Sequence, residues 1–94
     1  MTDGKKKSIE KKFVIGSKLG LHARPAALFV QTANRFKCEV EVRKGRETVN
    51  GKSIMGIMTL AIGCGTPILV RATGEDAANA VAEISKLIEN NFGE

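Results

Sequence analysis

The sequence predicts an α+β domain of two layers: antiparallel strands wet on one face, with helices packed on the other. Three observations point there. Cys38, Val40 and Val42 alternate with Glu39, Glu41 and Arg43, the period-two pattern of a half-buried strand. Ala26, Phe29, Val30, Ala33 and Phe36, and later Ala77, Ala80, Val81, Ile84, Leu87 and Ile88, recur instead at helical spacing. A chain of 94 residues holds one domain with a modest core, so each apolar face must be buried against another.

In chain order, residues 1–12 read as a basic extension, with Lys5, Lys6, Lys7, Lys11 and Lys12 expected to be solvated and frayed, and the domain proper spans 13–94. Phe13, Val14 and Ile15 make a short first strand. The loop Gly16-Ser17-Lys18-Leu19-Gly20 leads to a helix running to about Phe36, in which Pro25 is tolerable only within the first turn. The strand of Cys38 to Arg43 is turned back at Lys44-Gly45. Its return partner, Arg46 to Val49, is more polar and belongs at a sheet edge.

Asn50-Gly51 breaks that strand, and Ser53 is placed to cap a short helix. This helix carries an excess of apolar residues. Ile54, Met55, Ile57, Met58, Leu60 and Ile62 cannot all face one core, so some must show at the surface. After Gly63-Cys64-Gly65, Ile68, Val70 and Ala72 alternate as the last strand, with Pro67 near its start. Thr73 and Asp76 have the spacing of a capping box for the final helix, which runs to about Asn91. The order is βαββαβα.

Composition narrows the function classes. No apolar run approaches the roughly 18 residues of a membrane span, and no apolar leader precedes the domain, so a soluble cytoplasmic protein is expected. Cys38 and Cys64 with a single histidine cannot complete a zinc site, and both cysteines are expected to be reduced and structural. The net charge of +5 suits acidic protein partners. Nucleic acid is disfavoured, because four phenylalanines and no tyrosine or tryptophan supply few stacking platforms.

The candidate site is the one histidine, His22, in Gly20-Leu21-His22-Ala23-Arg24-Pro25-Ala26. It stands at the start of the first predicted helix, where the amides of Ala23 and Arg24 have no intrahelical acceptor and the positive end of the helix dipole faces the ring. An anion is welcome there. A phosphate fits best, held by free amides and by the planar Arg24 guanidinium, and a neutral imidazole nitrogen is a competent nucleophile for a phosphoryl group.

This stretch resembles the active-site signature of the HPr family, the histidine-containing phosphocarriers of the bacterial phosphoenolpyruvate-dependent sugar phosphotransferase system. Asn50-Gly51-Lys52-Ser53-Ile54-Met55-Gly56-Ile57-Met58 is similar to that family's regulatory-serine region, and the resemblance runs from about Phe13 to about Asn91. It implies an open-faced sandwich, a four-stranded antiparallel sheet of order 1-4-2-3 with three helices on one face. It implies phosphorylation on His22 with Arg24 steadying the phosphoryl group, and a regulatory phosphorylation on Ser53. Ser17 matches a loop position near the active centre that is commonly polar in the family, although turn chemistry explains it as well. Arg24, Ala27 and Gln31 share one helix face, which the resemblance assigns to partner contact, and Ile54, Met55 and Met58 match the exposed apolar docking patch.

The partners so implied are Enzyme I as donor, Enzyme IIA-type proteins as acceptors and HPr kinase/phosphorylase acting on the serine. The protein is then a monomeric carrier, not an enzyme, with no cofactor and no metal. An HPr-like regulator, serving a nitrogen-related branch or serine-phosphorylation signalling, is the alternative within the family.

Overall fold

The computed structural model describes residues 7–94. Seven main elements follow in the predicted order: β1 (Ser8–Val14), α1 (Ala23–Ala33), β2 (Glu39–Lys44), β3 (Glu47–Asn50), α2 (Ile54–Thr59), β4 (Pro67–Thr73) and α3 (Ala77–Glu89). A short 3₁₀ turn, Asn91–Gly93, ends the chain. The strands form one antiparallel sheet in the order β1-β4-β2-β3, as the family resemblance implies.

Alternation along the strands decides which face is covered. Phe13, Val40, Val42, Ile68, Val70 and Ala72 are buried, while their neighbours Lys12, Glu39, Glu41, Arg43 and Arg71 are exposed. The buried set meets Ala26, Phe29, Val30 and Ala33 of α1, Ile57 of α2, and Ala77, Ala80, Val81, Ile84 and Ile88 of α3 in one core. Phe29 lies fully inside it, and burying a side chain of that size contributes about 1.5–3 kcal/mol. Pro67 opens β4 opposite Val14, ahead of the Arg43–Leu69 pair where the β2 ladder starts, so its missing donor leaves no gap on that side.

Three expectations are corrected. The first strand starts at Ser8, not Phe13: Ile9, Lys11 and Phe13 share the covered face, and residues 8–12 belong to the sheet. Lys11 is accommodated because its ammonium nitrogen lies over the Phe13 ring (5.3 Å to the centroid) and donates to Ser85 (2.8 Å), while the side chain stays about half exposed (47%). Of the basic extension, residues 1–6, including Lys5 and Lys6, lie outside the described residues.

The first helix stops at Ala33 rather than Phe36. The Asn34 side chain donates to the Val30 carbonyl (3.0 Å), and Phe36 is left half-buried in the following loop. Finally, Thr73 and Asp76 form no capping box. Thr73 ends β4 with its hydroxyl 2.9 Å from that of Ser8, and the Asp76 carboxylate accepts from the backbone amides of Lys37 and Cys38, both at 2.9 Å. Asp76 thus ties the α1–β2 loop to the start of α3. These amides, Lys37 first, hold its carboxyl below the ordinary value of 3.8.

Candidate functional site

His22 is the N-cap of α1, with extended backbone angles (φ −75°, ψ −170°), and its carbonyl accepts from the Ala26 amide at 3.0 Å. Pro25 has no N–H, so the amides of Ala23 and Arg24 are the two donors of the first turn that precede any intrahelical bond. The loop before His22 is fixed from below. Ser17 is buried and donates its hydroxyl proton to the Gly20 carbonyl (3.1 Å), and Leu21 is held by a backbone bond to the Ile62 carbonyl (2.9 Å).

Gly20 is the position that only glycine fits. Its φ is +70°, and an added Cβ would stand 2.3 Å from the Ile62 oxygen. The loop therefore crosses the segment after α2 at backbone distance, which sets where the imidazole emerges.

The ring lies in an open hollow lined by Ser17, Lys18, Leu19, His22, Arg24 and Glu94, with Gly16 and Asn91 at its margin. The His22 side chain is about one-third exposed (36%), enough for a partner to reach it. Arg24 is exposed and makes no ion pair among the described residues, so its guanidinium is available to an incoming anion. His22 Nε2 stands 3.1 Å from Glu94 Oε2. Because a carboxylate only accepts, in the neutral ring this contact puts the proton on Nε2 and leaves the lone pair on Nδ1.

The residues singled out in the sequence divide into two groups. His22, Arg24 and Ser17 meet in the hollow. The single hydroxyl proton of Ser17 is committed to Gly20, which is turn chemistry, and the amides of Ala23 and Arg24 remain as anion donors. Ala27, half-buried, and Gln31, exposed, follow Arg24 by one and two turns along α1.

Ser53 and the apolar trio belong to α2, which packs beside α1. Ser53 is its N-cap, its Oγ accepting from the Gly56 amide at 3.0 Å. The surplus of apolar residues is resolved by burying Ile57, Leu60 and Ile62 and exposing Ile54 (44%), Met55 (79%) and Met58 (42%).

Leu19, Asn91 and Glu94 went unseen in the sequence. An isolated leucine in a polar loop, 75% exposed, is a local signal that was there to be read. The two tail residues carried none, because only the return of the chain after α3 brings them to His22. Cys38 is buried and structural, and burial, followed by Asp76, pushes its thiol up from 9.0. The same role expected for Cys64 does not hold: it is exposed at the tip of a surface turn, its sulfur 3.9 Å from the Gly16 carbonyl.

Against known proteins, residues 9–90 match the family described as PTS HPr component phosphorylation site. The phosphocarrier protein HPr of Neisseria meningitidis is 51% identical over 89 residues, covering 95% of this chain and 96% of that one. The HPr-like protein Crh of Bacillus subtilis is 44% identical over 81 residues, 86% of this chain and 95% of Crh. In three dimensions the crystal structure of HPr from Thermoanaerobacter tengcongensis superposes with a TM-score of 0.89 at 48% identity, covering 92% of this chain and 97% of that one. With the family match over residues 9–90 and relatives about half identical over most of both chains, the chain belongs to the HPr family of phosphocarrier proteins.

Proposed function

We propose that this protein carries a phosphoryl group on His22, taking it from phosphorylated Enzyme I and passing it to Enzyme IIA-type acceptors in the cytoplasm. The observation that carries this reading is the geometry of the helix end: His22 Nε2 stands 3.1 Å from Glu94 Oε2, which in the neutral ring leaves the lone pair on Nδ1, and the free amides of Ala23 and Arg24 with the Arg24 guanidinium lie at the same end. Nδ1 is the nucleophile. The amides and the guanidinium neutralise phosphoryl charge as it arrives, with no metal and no cofactor. Acting as a stoichiometric intermediate, the carrier is a substrate of other enzymes rather than an enzyme.

Exposed Ile54, Met55 and Met58, with Ala27 and Gln31 on α1, supply the docking surface, and polarizable methionines suit a surface that accepts several partners. Ser53, at the edge of that surface, is the site for regulation by HPr kinase/phosphorylase. The alternative is a regulatory branch of the family, and the relatives include HPr-like Crh proteins, that of Bacillus subtilis being known as the catabolite repression HPr. The intact histidine site favours the carrier reading over that branch. Incubation with Enzyme I and phosphoenolpyruvate should place one acid-labile phosphate on the wild type and none on His22→Ala, with the circular dichroism spectrum native in both. Phosphate retained by His22→Ala refutes the assignment. The carrier is taken to work as a monomer, and size-exclusion chromatography with light scattering decides this, since a dimer is known for an HPr of Thermoanaerobacter tengcongensis 49% identical to this chain (TM-score 0.75).

A further inference from the structure

Alternation along β2 puts Val40, Val42 and then Lys44 on the covered face of the sheet. A lysine is out of keeping with two buried valines, and its ammonium group accounts for it. Lys44 is half-buried, and its Nζ donates to the carbonyls of Leu60 (2.9 Å) and Ala61 (3.1 Å), the two residues that follow α2. Glu47 stands opposite Lys44 in the β2–β3 register, yet Lys44 makes no ion pair among the described residues. Its charge is directed instead at the carboxyl end of the helix, where carbonyls lack intrahelical donors and the dipole is negative.

The segment held in this way is a strained one. Ala61 has φ 50°, a left-handed conformation at a residue with a side chain, and such backbone persists only where its surroundings determine it. Leu60 and Ile62 are buried on either side of it, and Lys44 grips the two carbonyls between them. Beyond Ala61 the same segment carries the histidine loop. The Ile62 carbonyl accepts from the Leu21 amide (2.9 Å), and Gly20 crosses Ile62 so closely that no side chain fits between them. Leu21 immediately precedes His22. Lys44, the end of α2 and the N-cap of α1 thus form one continuous connection, although Lys44 does not line the hollow around the ring.

Resting on the carrier reading, we propose that Lys44 is a positioning residue for transfer between proteins: by clamping Leu60 and Ala61 it fixes the docking residues of α2 relative to His22. A partner seated on exposed Ile54, Met55 and Met58 must meet the ring in register, and a misplacement of about 1 Å can cost about 100-fold in rate. A small phosphoryl donor has no such requirement. It needs only the ring, the free amides of Ala23 and Arg24, and the Arg24 guanidinium. Lys44 therefore governs delivery by a docked protein and leaves the reactivity of the ring itself unchanged.

The test compares wild type with Lys44→Met, which keeps the stem and removes the ammonium, and with Lys44→Arg, which keeps a cation able to donate to two carbonyls. Lys44→Gln takes the place of Lys44→Met, with the same expectations, if the latter does not fold. All are assayed at a temperature where circular dichroism shows them native. Each is phosphorylated by Enzyme I with phosphoenolpyruvate and, separately, by phosphoramidate, which passes its phosphoryl group to His22 with ammonia as the leaving group. Lys44→Met should lose about threefold to thirtyfold in kcat/KM with Enzyme I and keep the wild-type rate with phosphoramidate, while Lys44→Arg should stay within about twofold of wild type with both. Amide hydrogen exchange supplies a second readout. Exchange of Leu21 should quicken in Lys44→Met by more than that of Val70 in the central strand β4, which reports global unfolding. Equal losses with both donors, an unchanged Enzyme I rate in Lys44→Met, Leu21 exchange that only tracks Val70, or a Lys44→Arg as impaired as Lys44→Met overturns the proposal and leaves the carrier reading intact. A folded wild type that takes phosphate from neither donor removes the carrier reading itself.

Discussion

Ser53 has two roles that one pair of substitutions separates. As N-cap of α2 it accepts a 3.0 Å hydrogen bond from the Gly56 amide, and its carbonyl accepts from Ile57 at 3.0 Å. The helix is only six residues long, so few other contacts hold its first turn. Removing the acceptor in Ser53→Ala should cost ~1 kcal/mol, which in a domain of this size lowers the melting temperature by about 4–8 °C. Ser53→Asp keeps the cap, because aspartate serves there as well as serine, and its charge at the positive helix end contributes about 0.3–1 kcal/mol. That variant should melt at or slightly above the wild type. Its defect should appear in docking, where the new charge adjoins exposed Ile54, Met55 and Met58 and repels an acidic partner surface. Phosphorylation by Enzyme I should slow by about threefold to tenfold at low salt, corresponding to ~0.7–1.4 kcal/mol, and recover as salt screens the charge. The assays are calorimetric melting and initial transfer rates across an ionic-strength series. The reasoning is refuted if Ser53→Asp melts as low as Ser53→Ala, or if its transfer rate at low salt equals that of the wild type.

Three further outcomes are expected. Ile57→Ala empties a fully buried site and should cost about 2–5 kcal/mol, whereas Met55→Ala, at a position 79% exposed, should leave denaturant midpoints within ~0.5 kcal/mol of wild type. Asp76 is held below its ordinary carboxyl value in the folded state, so the stability it contributes is present above about pH 4 and is lost as pH falls through the lowered value. Urea midpoints measured from pH 2 to pH 6 should therefore drop less steeply on the acid side in Asp76→Asn than in the wild type. A thiol reagent should modify exposed Cys64 promptly in the native protein and buried Cys38, whose thiol is pushed up, only at the rate of unfolding. Equal rates under native conditions would contradict that burial.

Much of this protein is written locally. Helical spacing placed α1 and α3 and strand alternation placed β2 and β4, because each face had to find the same core, while β3 and α2 were read from the turn and the cap before them and β1 only in part. The surplus of apolar residues around Ser53 announced exposed side chains before any coordinate showed which, and α2 then buried Ile57 and exposed Met55 and Met58. His22 with Arg24 and Pro25 was likewise legible, since a helix start is encoded within a few residues and brings its free amides with it.

What the residues could not show is whatever depends on distant segments meeting. Lys11 looked like part of a solvated tail until the Phe13 ring and the Ser85 hydroxyl gave its ammonium group partners beside the sheet. Asp76 had the spacing of a capping residue, but two amides of the α1–β2 loop lay within its reach and took the carboxylate instead. Sheet order came from family resemblance, not from periodicity, because alternation specifies a strand's faces and not its neighbours. The same limit hid Glu94. It lies 72 positions from His22, and only a buried phenylalanine followed by a left-handed turn carries its carboxylate to the ring, a contact that tertiary packing creates and that no local pattern encodes.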